Sequence, residues 1–133
     1  MADFPTLNDK FELETGAVLA PRFDVNGLIT AVVQDAETRD ILMLAHMNAE
    51  ALDKTLTTGQ SHFWSRSRQE IWHKGATSGD FQNVREILID CDQDAVILLV
   101  TMAGKSACHT GRRSCFFRRV SGSENPELQI VTD

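Results

Sequence analysis

Residues 95–102 read Ala-Val-Ile-Leu-Leu-Val-Thr-Met, and the first six of them form the longest apolar run in the chain. Both faces of this segment are apolar, which is typical of a strand that lies inside a sheet and is covered on both sides. The run is far shorter than the roughly 18 apolar residues that a membrane-spanning helix needs. We therefore expect it to anchor the sheet of a globular domain that has no membrane partner.

The sequence around this run predicts further strands, which are rich in β-branched or alternating apolar residues. The segment 84–90 is the second strong candidate, and two looser candidates are joined by a polar hairpin loop at 35–40. The looser candidates are 27–33 and 41–47, and the other predicted strands are 61–65, 70–73 and 114–120. Strands thus dominate the expected fold.

One main helix is predicted at 49–58. Asn48 is a suitable N-cap, Leu52 and Leu56 lie four residues apart on one face, and Gly59 is a suitable stop. Together with the strands, this helix indicates an α+β fold class.

Length and composition indicate one domain that covers 1–133. A chain of 133 residues with 42% hydrophobic and 24% charged residues is typical of a single globular domain. Residues 1–24 read as an irregular N-terminal extension with a short helix at most, and 121–133 as a poorly ordered, flexible tail. No targeting pattern is visible at the N-terminus, so we expect a cytoplasmic protein.

The net charge of -6 argues against general binding of nucleic acid, because a phosphate backbone favours a basic surface. The charge is uneven, however. Residues 60–119 hold nine Lys and Arg against six Asp and Glu. A basic middle in an acidic chain suggests a local site for a small anion, although a scattered solvated surface is an equal alternative.

A first cluster that is suited to chemistry is Asp90-Cys-Asp-Gln-Asp94. On a strand, Asp90, Asp92 and Asp94 would point to one face and Cys91 to the other. Carboxylates in this arrangement suit Mg²⁺ or Ca²⁺. The EF-hand loop is excluded because its Gly at the sixth position and its Glu at the twelfth are missing. The alternative is a solvated turn.

A second cluster contains the other two cysteines. Cys108 and Cys115 flank a Gly-containing loop, so their thiols can converge on one metal ion. With Cys91, three thiolates would leave one position of a tetrahedral zinc ion open, as in catalytic sites. His109 would either close that position or act beside it as a proton carrier. Alternatively, the cysteines are small buried apolar residues.

A third cluster lies between 63 and 80 and has the composition of a phosphate site. Arg66, Arg68 and Lys74 supply positive charge, while Thr77 and Ser78 supply hydroxyl groups. Trp72 and Trp64 are suited to stacking on a base, although a large aromatic residue more often belongs to the core.

Four stretches, in this order along the chain, resemble the phosphoribosyl-AMP cyclohydrolase family of histidine biosynthesis. They are Ser65-Arg-Ser-Arg68, Trp72-His-Lys-Gly-Ala-Thr-Ser-Gly79, Asp90-Cys-Asp-Gln-Asp94 and Cys108-His-Thr-Gly-Arg-Arg-Ser-Cys-Phe-Phe117. The resemblance extends from about Gly27 to Val120, and four motifs in the same order are far more specific than any one of them. One departure is Asp80, where the family more often has Asn.

The resemblance implies an intertwined homodimer with active sites at the subunit interface. It implies a zinc ion held by Cys91 of one subunit and by Cys108 and Cys115 of the other. It also implies a magnesium ion bound by the carboxylates of Asp90, Asp92 and Asp94.

The implied reaction is hydrolysis of the adenine ring of 1-(5-phosphoribosyl)-AMP at the N1–C6 bond, which gives the formimino aminoimidazole carboxamide ribonucleotide. We expect His109 to carry the proton, with His73 as the next candidate. The residues expected to bind the nucleotide are Arg66, Arg68, Trp72, Lys74, Thr77, Ser78, Arg112 and Arg113.

Two other functions compete with this hydrolase. A nucleobase deaminase is excluded because its His-x-Glu and Pro-Cys-x-x-Cys motifs are absent. A non-catalytic, zinc-stabilised nucleotide-binding module remains the alternative, and a closed four-ligand site that includes His109 would favour it.

Overall fold

The computed structural model describes residues 3–131, so the first two residues of the expected extension and the last two of the expected tail lie outside it. The described chain has two helices and eight strands, which form a six-stranded sheet and a separate two-stranded ribbon. The elements are α1 (Lys10–Thr15), β1 (Ile29–Asp35), β2 (Ile41–Met47), α2 (Ala49–Thr58), β3 (His62–Ser65), β4 (Glu70–His73), β5 (Gln82–Ile89), β6 (Ala95–Met102), β7 (Arg118–Ser121) and β8 (Glu127–Ile130). The α+β class and the single main helix are confirmed.

The apolar strand β6 lies inside the six-stranded sheet, as its composition predicts. The strand order is β4-β3-β2-β1-β6-β5, so β6 is bonded on both sides and lies second from one edge. It runs parallel to β1 and antiparallel to β5. Val96, Leu98 and Val100 on one face are almost completely buried, and Leu99 on the other face is buried as well. Burying each such side chain stabilises the fold by about 1.5–3 kcal/mol.

Helix α2 begins and ends where its capping residues predict. The Asn48 side chain accepts a hydrogen bond from the Ala51 N–H at 2.8 Å, and Gly59 ends the helix with a φ of 75°. Thr55 ties the helix to β3, because its hydroxyl oxygen accepts a hydrogen bond from the His62 N–H at 2.9 Å. The helix therefore holds β3 and β4, which carry part of the candidate site.

The sheet curls, because its edge strand β5 returns to the segment before β3. Gln60 and Asn83 form an isolated bridge, and the Val84 N–H donates to the Gly59 carbonyl at 2.8 Å. The curl encloses a core formed by inward-facing residues of the sheet and of α2. The largest fully buried members of this core include Phe63, Ile29, Leu42, Met47, Leu52 and Leu98.

The end of the chain differs from the sequence prediction. The observed strand, β7, is shorter than the predicted strand 114–120 and begins later. Cys115 makes only one backbone hydrogen bond to the main sheet, from its N–H to the Leu42 carbonyl at 2.7 Å, so no strand forms there. The expected unstructured tail contains β8, which pairs with β7 in an antiparallel ribbon. Within the described residues, neither helix is long and apolar enough to cross a membrane.

Candidate active site

The two cysteines of the loop 104–115 are brought together by a narrow turn. The Cys108 N–H donates to the Arg112 carbonyl at 3.1 Å, and the Ser106 hydroxyl lies 2.8 Å from the same oxygen. Gly111 has a φ of 91°, in the left-handed region that favours glycine. The turn therefore presents His109 at its tip, and His109 is exposed.

The thiols of Cys108 and Cys115 affect each other's pKa, and they differ in acidity. Desolvation acts to raise the pKa of Cys108, but hydrogen bonds from Thr110, whose hydroxyl lies 3.0 Å from Sγ, together with Cys115 and the charge of Arg112, lower it overall. Desolvation is the main cause that raises the pKa of Cys115 to about 11, although this residue is exposed in part, and the charge of Cys108 adds to the effect. Cys108 is thus the first thiol of the pair to ionise.

Lys74 connects this thiol pair to the third sequence cluster. It is buried, and its ammonium nitrogen lies 5.8 Å from the centroid of the Trp72 ring. Its positive charge opposes the rise in the pKa of Cys115, so it lies within electrostatic reach of that sulfur. The described part of the chain offers Lys74 no ion-pair partner. One cation therefore lies near the Trp72 ring and acts on the Cys115 sulfur.

A groove of about 630 Å³ runs beside Trp72 and is lined by basic and aromatic residues. Trp72 packs at a tilt on the buried Phe63, so one part of its ring belongs to the core and another part lines the groove. Arg66 and Arg68 are exposed on the loop between β3 and β4. Arg68 also pairs with Glu70 at 3.6 Å, a contact of little energy at an exposed site.

Thr77 and Ser78 lie in the exposed turn that follows β4. The Ser78 hydroxyl accepts a hydrogen bond from the Asp80 N–H at 3.1 Å. Gly75 enables this turn, because its φ is 93° and a Cβ atom there would overlap the backbone of Phe81. The hydroxyl groups therefore remain at the surface, on a backbone path that requires glycine.

The two arginines of the cysteine loop have different partners. The Arg112 guanidinium stacks over Phe117 at 4.1 Å from the ring centroid. Arg113 forms ion pairs with Asp35 at 3.0 Å and with Asp40 at 2.7 Å, so its charge is balanced within the chain. Arg113 thus fastens the cysteine loop to the hairpin of β1 and β2, a contact that the sequence analysis did not foresee.

The His73 ring is enclosed by neighbours, unlike that of His109. Its Nε2 lies 2.9 Å from Oε1 of Gln60, and the ring stacks on His62 with centroids 4.2 Å apart. Desolvation lowers the pKa of His73, and the nearby His62 lowers it further.

The acidic cluster forms a turn, and the strand geometry predicted for it is wrong. Strand β5 ends at Ile89 and β6 begins at Ala95, so 90–94 connect two antiparallel strands. The Asp90 carboxylate closes the turn by accepting hydrogen bonds from the N–H groups of Asp94 at 2.9 Å and Ala95 at 3.2 Å. Because a turn does not alternate its side chains, strand geometry no longer places Cys91 opposite the carboxylates.

The carboxylates nevertheless converge. One ligand oxygen from each of Asp90, Asp92 and Asp94 lies within 4.8 Å of the others. A hydrogen bond with Asp90 is the main cause that raises the pKa of Asp94 to about 6, and Asp92 contributes in the same direction. Oxygen ligands with mutual repulsion of this kind suit a hard divalent cation.

Cys91 is exposed in the acidic turn. Within 3–131, the three carboxylates are the one set of at least three His, Cys, Asp or Glu ligand atoms that lie within 4.8 Å of one another. Cys91 therefore does not join Cys108 and Cys115 in a compact three-sulfur site within a single chain.

His46 is a site residue that the sequence analysis missed. It lies on β2 opposite Trp64 and lines the groove with Arg66. Desolvation lowers the pKa of His46, and the charge of Arg66 lowers it further. The sequence does contain a signal for it, because His46 is the single polar residue in the otherwise apolar strand 41–47.

Comparisons with known proteins agree with this set of residues. The family described as phosphoribosyl-AMP cyclohydrolase matches residues 43–117. Relatives named phosphoribosyl-AMP cyclohydrolase include one from Chelativorans sp. (strain BNC1), 62% identical over 87% of this chain and 84% of the relative. Others are from Sinorhizobium fredii, 58% identical over 94% and 83%, and from Brucella anthropi, 53% identical over 100% and 95%. The chain therefore belongs to the phosphoribosyl-AMP cyclohydrolase family, a family of enzymes.

Proposed function

We propose that this protein is a zinc-dependent hydrolase of histidine biosynthesis that opens the adenine ring of 1-(5-phosphoribosyl)-AMP at the N1–C6 bond. The observation that carries the proposal is that the Cys108 and Cys115 thiols shift each other's pKa beside the exposed His109, with the charge of Lys74 acting on Cys115. Family membership supports the same activity. Such a protein would act on a small nucleotide in the cytoplasm.

The donor set suits zinc. Thiolates are soft ligands that select zinc over magnesium, and Cys108 already has a lowered pKa. Metal binding would displace the proton that Cys115 retains. Bound zinc with an open position would lower the pKa of a water molecule and so supply a nucleophile near neutral pH.

The chain's own residues would position the substrate and move the protons. A substituent on N1 makes C6 of the adenine ring electrophilic, so water adds there, the C6–N1 bond breaks and C6 becomes a carboxamide carbon. The His109 ring would take the proton from the attacking water and deliver it to N1. We favour His109 over His73 because the His73 ring is already occupied by Gln60 and His62.

The groove beside Trp72 would hold the rest of the nucleotide. Trp72 offers a face on which a base or sugar can stack. The phosphates would pair with cations among Arg66, Arg68, Lys74, Arg112 and Arg113, aided by the hydroxyls of Thr77 and Ser78. Arg113 is the weakest of these candidates, because Asp35 and Asp40 already balance its charge.

The acidic turn would bind magnesium. Its three converging carboxylates are hard oxygen ligands, and a divalent cation would relieve the repulsion that raises the pKa of Asp94. These oxygen ligands differ from the sulfur ligands of the thiol pair, so the two metals would be chosen by different ligand chemistry.

We further propose an intertwined homodimer in which Cys91 of one subunit completes the zinc site of the other. Two observations support it. Cys91 does not gather with the other two thiols within one chain. The ribbon of β7 and β8 also leaves Val120, Leu128 and Ile130 exposed, and an isolated two-stranded ribbon is marginally stable in water. A second copy of the chain would cover these residues.

The shared site is tested by mixing two inactive variants, Cys91→Ser and Cys108→Ser. After subunit exchange, each mixed dimer would hold one intact site, so an equimolar mixture should recover about a quarter of wild-type activity. No recovery, with mixed dimers detected by mass spectrometry, would contradict a zinc site that is shared between subunits.

Zinc dependence is tested with Cys115→Ser, in which bound zinc and turnover should be lost together. Metal content would be measured by atomic emission and folding by circular dichroism. Thr57→Ser, an exposed change on α2, serves as the control. A folded Cys115→Ser protein that is fully active without zinc would refute the catalytic metal.

A further inference from the structure

Gln93 occupies an unusual place in the acidic turn. It is only 5% exposed, whereas Asp90 and Asp94 on either side are exposed. Its φ of 58° lies in the left-handed region, which a residue other than glycine seldom adopts. Its N–H donates to the Asp90 carbonyl at 3.1 Å, so the residue belongs to the turn itself.

The side chain of Gln93 fastens a distant part of the chain to this turn. Its amide nitrogen donates to the carbonyls of Leu13 at 2.9 Å and Val18 at 3.2 Å, and its amide oxygen accepts from the Ala20 N–H at 2.8 Å. The Arg22 N–H donates to the Gln93 carbonyl at 2.7 Å. Four hydrogen bonds therefore connect one residue to partners more than 70 positions away in the sequence.

The fastened segment, residues 13–22, packs against Gln93 and forms one wall of a groove beside the acidic turn. After α1 it has no regular structure, yet Leu13 and Ala20 are buried. A groove of about 290 Å³ lies between this segment and the turn, and it is lined by Asp90 and Cys91 among others. The segment therefore shares a groove with Asp90, one of the proposed magnesium ligands, and with the proposed third zinc ligand.

We propose that Gln93 is a positioning residue, which holds segment 13–22 across the back of the acidic turn and thereby presets the three carboxylates for a divalent cation. The inference rests on the magnesium site of the proposed function. Carboxylates that repel one another separate unless the backbone that carries them is held in place. Gln93 supplies that restraint before the cation arrives, so less ordering remains to be done on binding.

Linkage makes the proposal testable in both directions. If the bonds between Gln93 and segment 13–22 raise the affinity for the cation by a given factor, bound cation must stabilise those bonds by the same factor. The net contribution of the three side-chain hydrogen bonds sets the upper limit of the energy that can be coupled to the cation. Since only part of that energy is coupled to the cation, we expect a factor of about ten.

The experiment compares Gln93→Gly with Arg39→Gly in the full-length protein. Glycine adopts a positive φ without strain at both positions, since Arg39 has a φ of 67°, but only the first change removes the three side-chain bonds to segment 13–22. Calorimetric titration with Mg²⁺ alone should show about tenfold weaker binding in Gln93→Gly and unchanged binding in Arg39→Gly. A purely structural role would lower the melting temperature without changing the affinity for Mg²⁺.

Amide hydrogen exchange in the wild type gives a second readout that needs no variant. Saturating Mg²⁺ should slow exchange at the Ala20 and Arg22 amides by about the same factor of ten. Equal affinity of both glycine variants for Mg²⁺ would overturn the proposal. Exchange rates at these amides that stay the same when Mg²⁺ is added would overturn it as well. A wild type that turns over substrate with zinc but binds no Mg²⁺ would overturn it too, while leaving the proposed hydrolase intact.

Discussion

Replacing Asp94 by asparagine should stabilise the metal-free protein. The acidic turn holds three carboxylates within 4.8 Å, and their interaction raises the pKa of Asp94 from 3.8 to about 6. At neutral pH Asp94 is therefore ionised despite repulsion from the neighbouring carboxylates. The asparagine side chain would keep the shape and the hydrogen-bond donor of a protonated Asp94 without the charge.

The size of the effect follows from the pKa. A rise from 3.8 to about 6 corresponds to roughly 3 kcal/mol of unfavourable free energy for a group fully shielded from water. Asp94 is exposed, so solvent screening reduces the expected gain to about 1 kcal/mol. For a chain of 133 residues, that gain raises the melting temperature by about 3 °C.

The pH dependence has a definite sign. The folded-state pKa of Asp94 is raised, so its protonation stabilises the fold at low pH and that stabilisation is lost as the pH rises through about 6. The advantage of Asp94→Asn should thus be complete above about pH 7 and disappear toward about pH 4. Saturating Mg²⁺ should reverse the order, because the wild type retains the stronger cation site.

The assay is calorimetric melting in a chelating buffer across this pH range. Asp53→Asn is the matched control, because it removes one negative charge from α2, outside the acidic turn. A metal-free Asp94→Asn protein that melts below the wild type at neutral pH, while the control does not, would refute the repulsion argument.

Three further predictions concern the site and the core. His109→Ala should keep its zinc and lower kcat by roughly 10²–10⁴-fold, and unchanged kcat and pH–rate profiles would move the proton transfer elsewhere. Leu98→Ala, at a fully buried position of β6, should lower the free energy of unfolding by about 2–5 kcal/mol in urea titrations, and a loss below about 1 kcal/mol would show that the site is not tightly packed. Asn48→Ala should lower it by about 1 kcal/mol through loss of the N-cap of α2, and no loss would show that the cap bond is dispensable.

Elements whose ends are marked by neighbouring residues in the sequence were predicted with the correct bounds. The bounds of α2, β2 and β4 match the sequence prediction, because an N-cap, a glycine stop and polar loops mark their ends. The interior position of β6 followed from its apolar composition. Strand β8 was missed and β7 was predicted to begin too early, because each strand has four residues and gains its ladder bonds only from the other.

The residues of the candidate site were easier to predict than their geometry. Composition identified the carboxylates of the acidic turn, but the turn depends on the left-handed conformation of Gln93 and on bonds to 13–22, which no local pattern reveals. The pairing of Arg113 with Asp35 and Asp40 likewise joins distant segments. Tertiary contacts of this kind decide which basic residue is available to a ligand.

The central claim is that the thiol pair and its surroundings serve a cyclohydrolase. The most direct measurement is turnover of 1-(5-phosphoribosyl)-AMP by the purified protein with Zn²⁺ and Mg²⁺, followed by the ultraviolet change as the purine ring opens. AMP, which lacks the substituent on N1, is the control. We predict turnover of the first compound and none of the second. A folded, zinc-loaded protein that turns over neither would contradict the hydrolase and favour a non-catalytic nucleotide-binding module.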